Sequence, residues 1–359
     1  MKFLLSLHLA ALIALMLVLD ASAGDEAKKQ DDKAKAKAPA SQPAIEPVLT
    51  NLSNPCGIAI HPATGDLFVS DSASLQVVRV AAKTHKCSPV ITGFPKDVYG
   101  KGPMYDIGPL GLAFVDDETL VVGGGGHVDG QELLQIYTVP KPGTSIKAEQ
   151  AKYTLGPITP GDDSLMGEGN FYGLAVDEHG IYISSNGDDT KGWVLKVELS
   201  SGVPGPLKPF IKTKVATGVD GPVGITLNKQ GKLVVGQMGE INIPKDSLLT
   251  IYDAQSGEML ANAETDLYDI ADLAYSPKSG KLYAIDFAWM DESQGGLFRL
   301  DVTGDGSTMK VKPVKIVSLD KPAAMAFAPS GVLYVCEFGT AEEGSKEKPG
   351  RVVAIRGNL

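Results

Sequence analysis

With 359 residues, 43% of them hydrophobic and 21% charged, the chain has enough apolar bulk for a sizeable core. Its formal charge of −10 argues against nucleic acid as a partner, because phosphate binding needs clustered Lys and Arg. The 41 Gly and 23 Pro suit many short strands joined by tight turns.

The chain opens with Lys2, an apolar run over 3–19 and the small residues Ala21, Ser22 and Ala23. That is the pattern of a signal peptide over 1–23, with a retained anchor as the alternative. The expected location is secreted or periplasmic, with no membrane span after cleavage. Residues 24–44 are rich in Ala, Lys and Pro with almost nothing to bury, which predicts a disordered linker before a folded domain over 45–359. Three cysteines follow: Cys56, Cys87 and Cys336. In an oxidising compartment a Cys56–Cys336 disulfide is expected ahead of Cys56–Cys87, and buried unpaired thiols are the alternative.

From residue 54 onward the sequence repeats itself. An inner-strand signature of small and apolar residues begins at Gly57, Gly111, Gly173, Gly224, Asp272 and Ala324. Each copy is followed by a turn and a second strand: DLFVSD, TLVVGG, GIYISS, KLVVGQ, KLYAID and VLYVCE. Third strands follow (QVVRV, LLQIYTV, WVLKVEL, LLTIYD, LFRLDV and RVVAI), and then weaker fourth strands such as CSPVITGF. Alternation is period two throughout, so the fold class is all-β. The sixth copy lacks a fourth strand, while 46–52 (EPVLTNL) resembles the fourth strand of the first copy (SPVITGF). These features predict a six-bladed β-propeller of four-stranded antiparallel blades, closed by an N-terminal strand that completes the last blade.

The pattern Pro-x-Gly-Ile/Leu-Ala, then Gly-x-Leu-Phe/Tyr-Val-x-Asp, then an apolar third strand resembles NHL-type propeller repeats. More loosely it is similar to the SMP-30/gluconolactonase group, and the likeness covers about 46–359. The first copy, NPCGIAIHPATGDLFVSDSASLQVVRV, carries it best. Similarity to the lactonases implies a divalent cation held by Asn or Asp standing directly before the inner-strand Gly. The residues at those positions here are Cys56, Leu110, Tyr172, Val223, Ala271 and Ala323, none of which offers a carboxylate or amide oxygen.

Propeller geometry sorts the loops by face. Turns between first and second strands are short, whereas long insertions at 94–109, 124–132, 156–171, 238–246, 287–295 and 338–349 share the other face. Long loops on a rigid scaffold are where binding resides, so this face is the candidate site. His127 is the one histidine on it, and Trp289 is an aromatic well placed to stack a ligand; Tyr105, Phe171 and Tyr172 are further aromatic candidates. The second strands end in Asp71, Gly124, Ser185, Gln237, Asp286 and Glu337. Blades five, six and one are neighbours, so Asp71, Asp286 and Glu337 are expected to form an acidic arc able to hold Ca²⁺, or alternatively to cap turn backbone. Asn186, Gln237 and Asp272 are further ligand-binding candidates. The segment 301–306 (DVTGDG) begins like a calcium loop, but Lys312 stands where that loop needs Glu, which predicts a hairpin turn.

Two functions follow. The first is an exported NHL-like propeller that binds a peptide, glycan or protein on its loop-rich face. The alternative is a Ca²⁺-dependent hydrolase of small esters or lactones. No residue argues for a redox quinoprotein.

Overall fold

Six sheets of antiparallel strands follow one another along the chain, each a meander whose first strand lies innermost. The computed structural model describes residues 43–158, 169–186, 192–340 and 347–359. The expected signal peptide, and the linker up to residue 42, lie outside the described residues. Among those described, no helix is long and apolar enough to cross a membrane.

Blade one runs Pro55–Ile60, Leu67–Asp71, Gln76–Val80 and Cys87–Thr92. A short segment, Ile146–Lys147, adds a parallel fifth strand that the repeat pattern does not announce. The inner strands of the other blades are Pro109–Asp116, Phe171–Val176, Pro222–Leu227, Ile270–Tyr275 and Pro322–Phe327. Blade six is completed by Ala44–Leu52, which pairs antiparallel with Gly350–Arg356 in the register Ile45↔Ile355, Pro47↔Val353 and Leu49↔Val352. The closing strand is therefore the expected one, and it begins two residues earlier than the sequence resemblance suggests.

Period-two alternation buries both faces of each sheet, because each blade packs on its two neighbours. Phe68, Val77 and Ile91 of blade one meet Leu120, Val122 and Tyr137 of blade two in one apolar layer. Towards the axis the inner strands converge until side chains no longer fit. A Cβ on Gly57 would run into the Leu110 carbonyl, and one on Gly111 into that of Tyr172. Glycine at the signature position is thus required by the close approach of neighbouring blades.

The cysteines are free: Cys56 and Cys336 are buried, and Cys87 is exposed. The expected Cys56–Cys336 bridge is not formed: the Cys56 thiol donates to the Asn54 carbonyl at 3.2 Å and the Cys336 thiol to the Gly57 carbonyl at 3.8 Å. Cys56 joins the cluster around the axis, and Cys336 joins the layer between blades six and one. At 301–306 the chain forms a tight link between the strands Gly296–Thr303 and Lys310–Val317, with Asp301 paired to Arg299 at 2.7 Å and 2.8 Å.

Candidate functional site

The residues standing before the inner-strand glycines do ring the axis. Cys56, Leu110, Tyr172, Val223 and Ala271 line one cavity of ≈ 60 Å³ at the loop-rich end. Its remaining walls come from the long insertions, as the sorting of loops by face predicts. Tyr99 and Tyr105 arrive on a hairpin between blades one and two, built from Asp97–Tyr99 and Tyr105–Ile107. Phe287 and Trp289 come from the blade-five loop and Phe338 from blade six. Their rings interlock: Tyr105 meets Trp289 edge to face at 5.3 Å and Phe338 at 5.2 Å, and Phe287 lies 4.8 Å from Trp289. Such contacts add rigidity beyond area burial.

Into this apolar wall the structure sets a few polar groups. Asp269, on the linker just before the inner strand of blade five, is only 2% exposed. Its Oδ2 accepts the Trp289 backbone N–H at 2.6 Å, and its Oδ1 has no partner among the described residues. Burial is the main cause pushing its carboxyl up to about 7. The Trp289 N–H opposes the shift, and the charges of Asp286 and Asp246 add to it. Asn186 Oδ1 and Trp289 Nε1 are likewise buried without partners. All three side chains line the same cavity. A buried polar group left unpaired costs about 1–3 kcal/mol, so these three side chains are the polar candidates for contact with a ligand.

Of the sequence candidates, Asn186 and Trp289 therefore converge on the cavity. His127 does not line it; its backbone N–H donates to Glu132 Oε1 at 2.9 Å. Gln237 is buried in its own blade, where its amide donates to Thr217 Oγ1 at 3.0 Å and to the Val219 carbonyl. Asp272 lies deeper along the axis and accepts the N–H groups of Leu273 and Met325, each at 2.8 Å.

Of the two roles expected for the acidic arc, its contacts are those of backbone capping. Asp71 accepts the Ser53 N–H at 2.6 Å and the Gln76 amide at 2.9 Å. Asp286 accepts three backbone N–H groups, those of Tyr268, Asp269 and Ala288, at 2.9, 2.8 and 3.0 Å. Glu337 accepts the Asp320 N–H at 2.7 Å and is paired with Arg351 at 2.6 Å. Each carboxylate ties the end of a second strand to the linker entering the same blade. Among the described residues no three His, Cys, Asp or Glu side chains stand together as a metal-holding group. Asp71, Asp286 and Glu337 thus form no shared site, and with the axial ring lacking carboxylate and amide oxygens, these residues do not fit a divalent cation. Among the described residues no Lys or Arg lines the small cavity, so it offers no counter-charge to an anionic cofactor.

Two carboxylates escaped the sequence reading. Asp269 sits in an inter-blade linker outside the repeat signature. Glu132 is fully buried, its Oε2 has no partner among the described residues, and its carboxyl is pushed up to about 8, chiefly by burial. It fills the space that Gly124 leaves open, where a Cβ would stand 2.7 Å from Oε2. The only sequence signal was Gly124 itself, the one position of the aligned column without a side chain.

No protein-family model and no curated protein matches the sequence. Solved structures do match in fold. A PQQ-bound aldose sugar dehydrogenase from Streptomyces coelicolor superposes with a TM-score of 0.58 at 18% identity, covering 89% of this chain and 99% of that one. A putative glucose dehydrogenase from Thermus thermophilus gives 0.59 at 16%, with 87% and 99% covered. A gluconolactonase from Xanthomonas campestris gives 0.57 at 12%, with 88% and 90% covered. The chain has the six-bladed architecture of the SMP-30/gluconolactonase-like propellers, and at these identities the likeness is one of fold.

Proposed function

We propose that this protein hydrolyses small lactones or esters with its own side chains, in the cavity beneath the aromatic cluster. One observation carries the reading: an apolar cavity lined by Asn186, Asp269 and Trp289, each with a buried polar atom that has no partner among the described residues, and one of them a carboxyl pushed up to about 7. Trp289 Nε1–H donates to the substrate carbonyl oxygen and stabilises the oxyanion as it forms. Asp269 Oδ1 takes a proton from water as the water oxygen bonds to the carbonyl carbon. When the ring or ester C–O bond breaks, the same proton passes to the leaving alkoxide. Asn186 Oδ1 accepts from a hydroxyl on the substrate. The apolar wall favours alkyl or aryl lactones over polyhydroxylated ones. Two of the fold relatives named above carry sugar-dehydrogenase descriptions and one a gluconolactonase description, which supports small-molecule chemistry on this scaffold.

The test is γ-valerolactone hydrolysis by chelator-treated protein. Turnover should rise through pH 7 as Asp269 ionises and fall about a hundredfold in Asp269→Asn. Full activity in that variant, or its loss on chelation, would sink the reading.

A second reading rests on Met104 and Met290, which are 56% and 63% exposed on the hairpin and the blade-five loop of the same face. Exposed, adaptable methionines suit a docked peptide, glycan or protein partner. Binding that survives Met104→Lys with Met290→Lys would count against it. In either case the leading segment supports work outside the cytoplasm, secreted or periplasmic, and sequencing the mature N-terminus checks this.

A further inference from the structure

Blades three and six stand opposite each other in a ring of six, and the Tyr172 side chain bridges them. Tyr172 reaches across the axis, and its hydroxyl donates to the Ala323 carbonyl at 2.8 Å. At the same repeat position the other blades carry the shorter side chains of Cys56, Leu110, Val223, Ala271 and Ala323. Tyr172 lines the ≈ 60 Å³ upper cavity and also a second one of ≈ 200 Å³ below it, walled by Gly57, Gly111, Gly173 and Asp272. The ring is thus a floor to one chamber and a ceiling to the other. Burial raises the hydroxyl well above its ordinary range, so it stays a donor and the bridge holds over ordinary pH.

We propose that Tyr172 is the specificity-determining residue that limits how long a substrate tail the site accepts. The inference rests on the lactonase reading above. With the carbonyl at Asp269 and Trp289, near the mouth, an alkyl tail points down the axis and meets the tyrosine ring. Where the ring is replaced by a shorter side chain, the tail runs on between Leu110, Val223 and Cys56 towards the lower chamber.

A homologous series tests this: γ-valerolactone, γ-hexalactone and γ-nonalactone, assayed on the full mature chain by pH-stat and by thermal shift. In the wild type, the ratio of γ-nonalactone to γ-valerolactone turnover should be low. Tyr172→Leu, which installs the side chain blade two already carries, should raise that ratio about tenfold or more, the worth of a few newly buried methylenes. Tyr172→Met keeps the core filled with a slender chain and should raise it in the same direction. Tyr172→Phe retains the ring and should keep the wild-type ratio. If the Leu and Met variants hydrolyse γ-valerolactone with an unchanged cut-off, the floor is refuted while the pocket reading stands. If the wild type neither binds nor hydrolyses any member, the pocket reading fails. Should Tyr172→Leu alone then bind γ-nonalactone, the partition is upheld without that reading. If no variant binds either, both fall.

Discussion

Asp269 and Glu132 are buried carboxylates, each with one oxygen that has no partner among the described residues, and both fold at a cost that depends on pH. Burial raises Asp269 to about 7 and Glu132 to about 8, whereas in an unfolded chain such groups ionise near 4. Between those values the folded state holds more protons than the unfolded one. Their contribution to stability is therefore complete below about pH 4 and is lost as pH rises through 7 to 8. Replacing either with its amide removes the charge while keeping the oxygen that accepts a backbone N–H, from His127 in one case and Trp289 in the other. Glu132→Gln should then match the wild type at pH 5 and exceed it at pH 9 by up to about 4 kcal/mol, since each tenfold change in proton affinity is worth ~1.4 kcal/mol. Denaturant melts at pH 5, 7 and 9 measure this, and parallel pH profiles for the two proteins would refute it. Asp269→Asn should gain stability in the same window while losing turnover, the trade expected of a carboxylate kept for chemistry.

At the scale of the element, the aligned second-strand ends turn out to share a mechanical role. Asp71, Asp286 and Glu337 accept linker N–H groups, and Ser185 donates to the Gly169 carbonyl at 3.0 Å. Gln237 donates to the Val219 carbonyl, and Glu132 reaches the place vacant at Gly124. The repeat made this column legible, and the capping alternative followed from the residue types. Which way the carboxylates point was not legible, because periodicity fixes the face of a strand and not the hydrogen bonds at its end. Asp269 had no signature at all, lying in a linker between repeats. Tyr172 was legible as one of six departures from the lactonase-like pattern, yet its reach to Ala323 exists only once the ring closes. Asp286 has a double duty: it holds the N–H of Asp269, whose carboxylate in turn holds Trp289. Asp286→Ala should therefore cost about 3 kcal/mol or more and collapse turnover as well. Asp71→Ala should destabilise blade one with much less effect on turnover. Added Ca²⁺ should leave the melting points of the wild type and both variants unchanged. A calcium-dependent rise in the wild type that both variants lose would restore the acidic arc as a metal site.

For the whole molecule, closure of the ring depends on a strand far from its partner in sequence. Ala44–Leu52 covers the edge of Gly350–Arg356, and Leu52, only 3% exposed, anchors it in the layer shared by blades six and one. The Arg356–Glu46 pair at 3.2 Å is exposed on both sides and adds little. What holds the strap is the backbone ladder together with Leu52, Val48 and Leu49 against Ile58, Val69 and Val352. Removing residues 43–52 would uncover a strand edge and one wall of that layer. Burial of one leucine and a handful of net hydrogen bonds suggests a loss of about 5 kcal/mol, or a drop in Tm on the order of 10 °C or more. The bare edge should also recruit a second copy, so the truncated chain should elute partly as a dimer. A synthetic peptide of residues 43–53 added in trans should restore both the melting point and the monomer, because closure is non-covalent. A truncated protein that stays monomeric and melts like the full chain would mean the blades hold their ring without the strap. Closure would then be a property of the inner-strand packing, where Gly57 and Gly111 let adjacent blades approach, rather than of the terminal pairing.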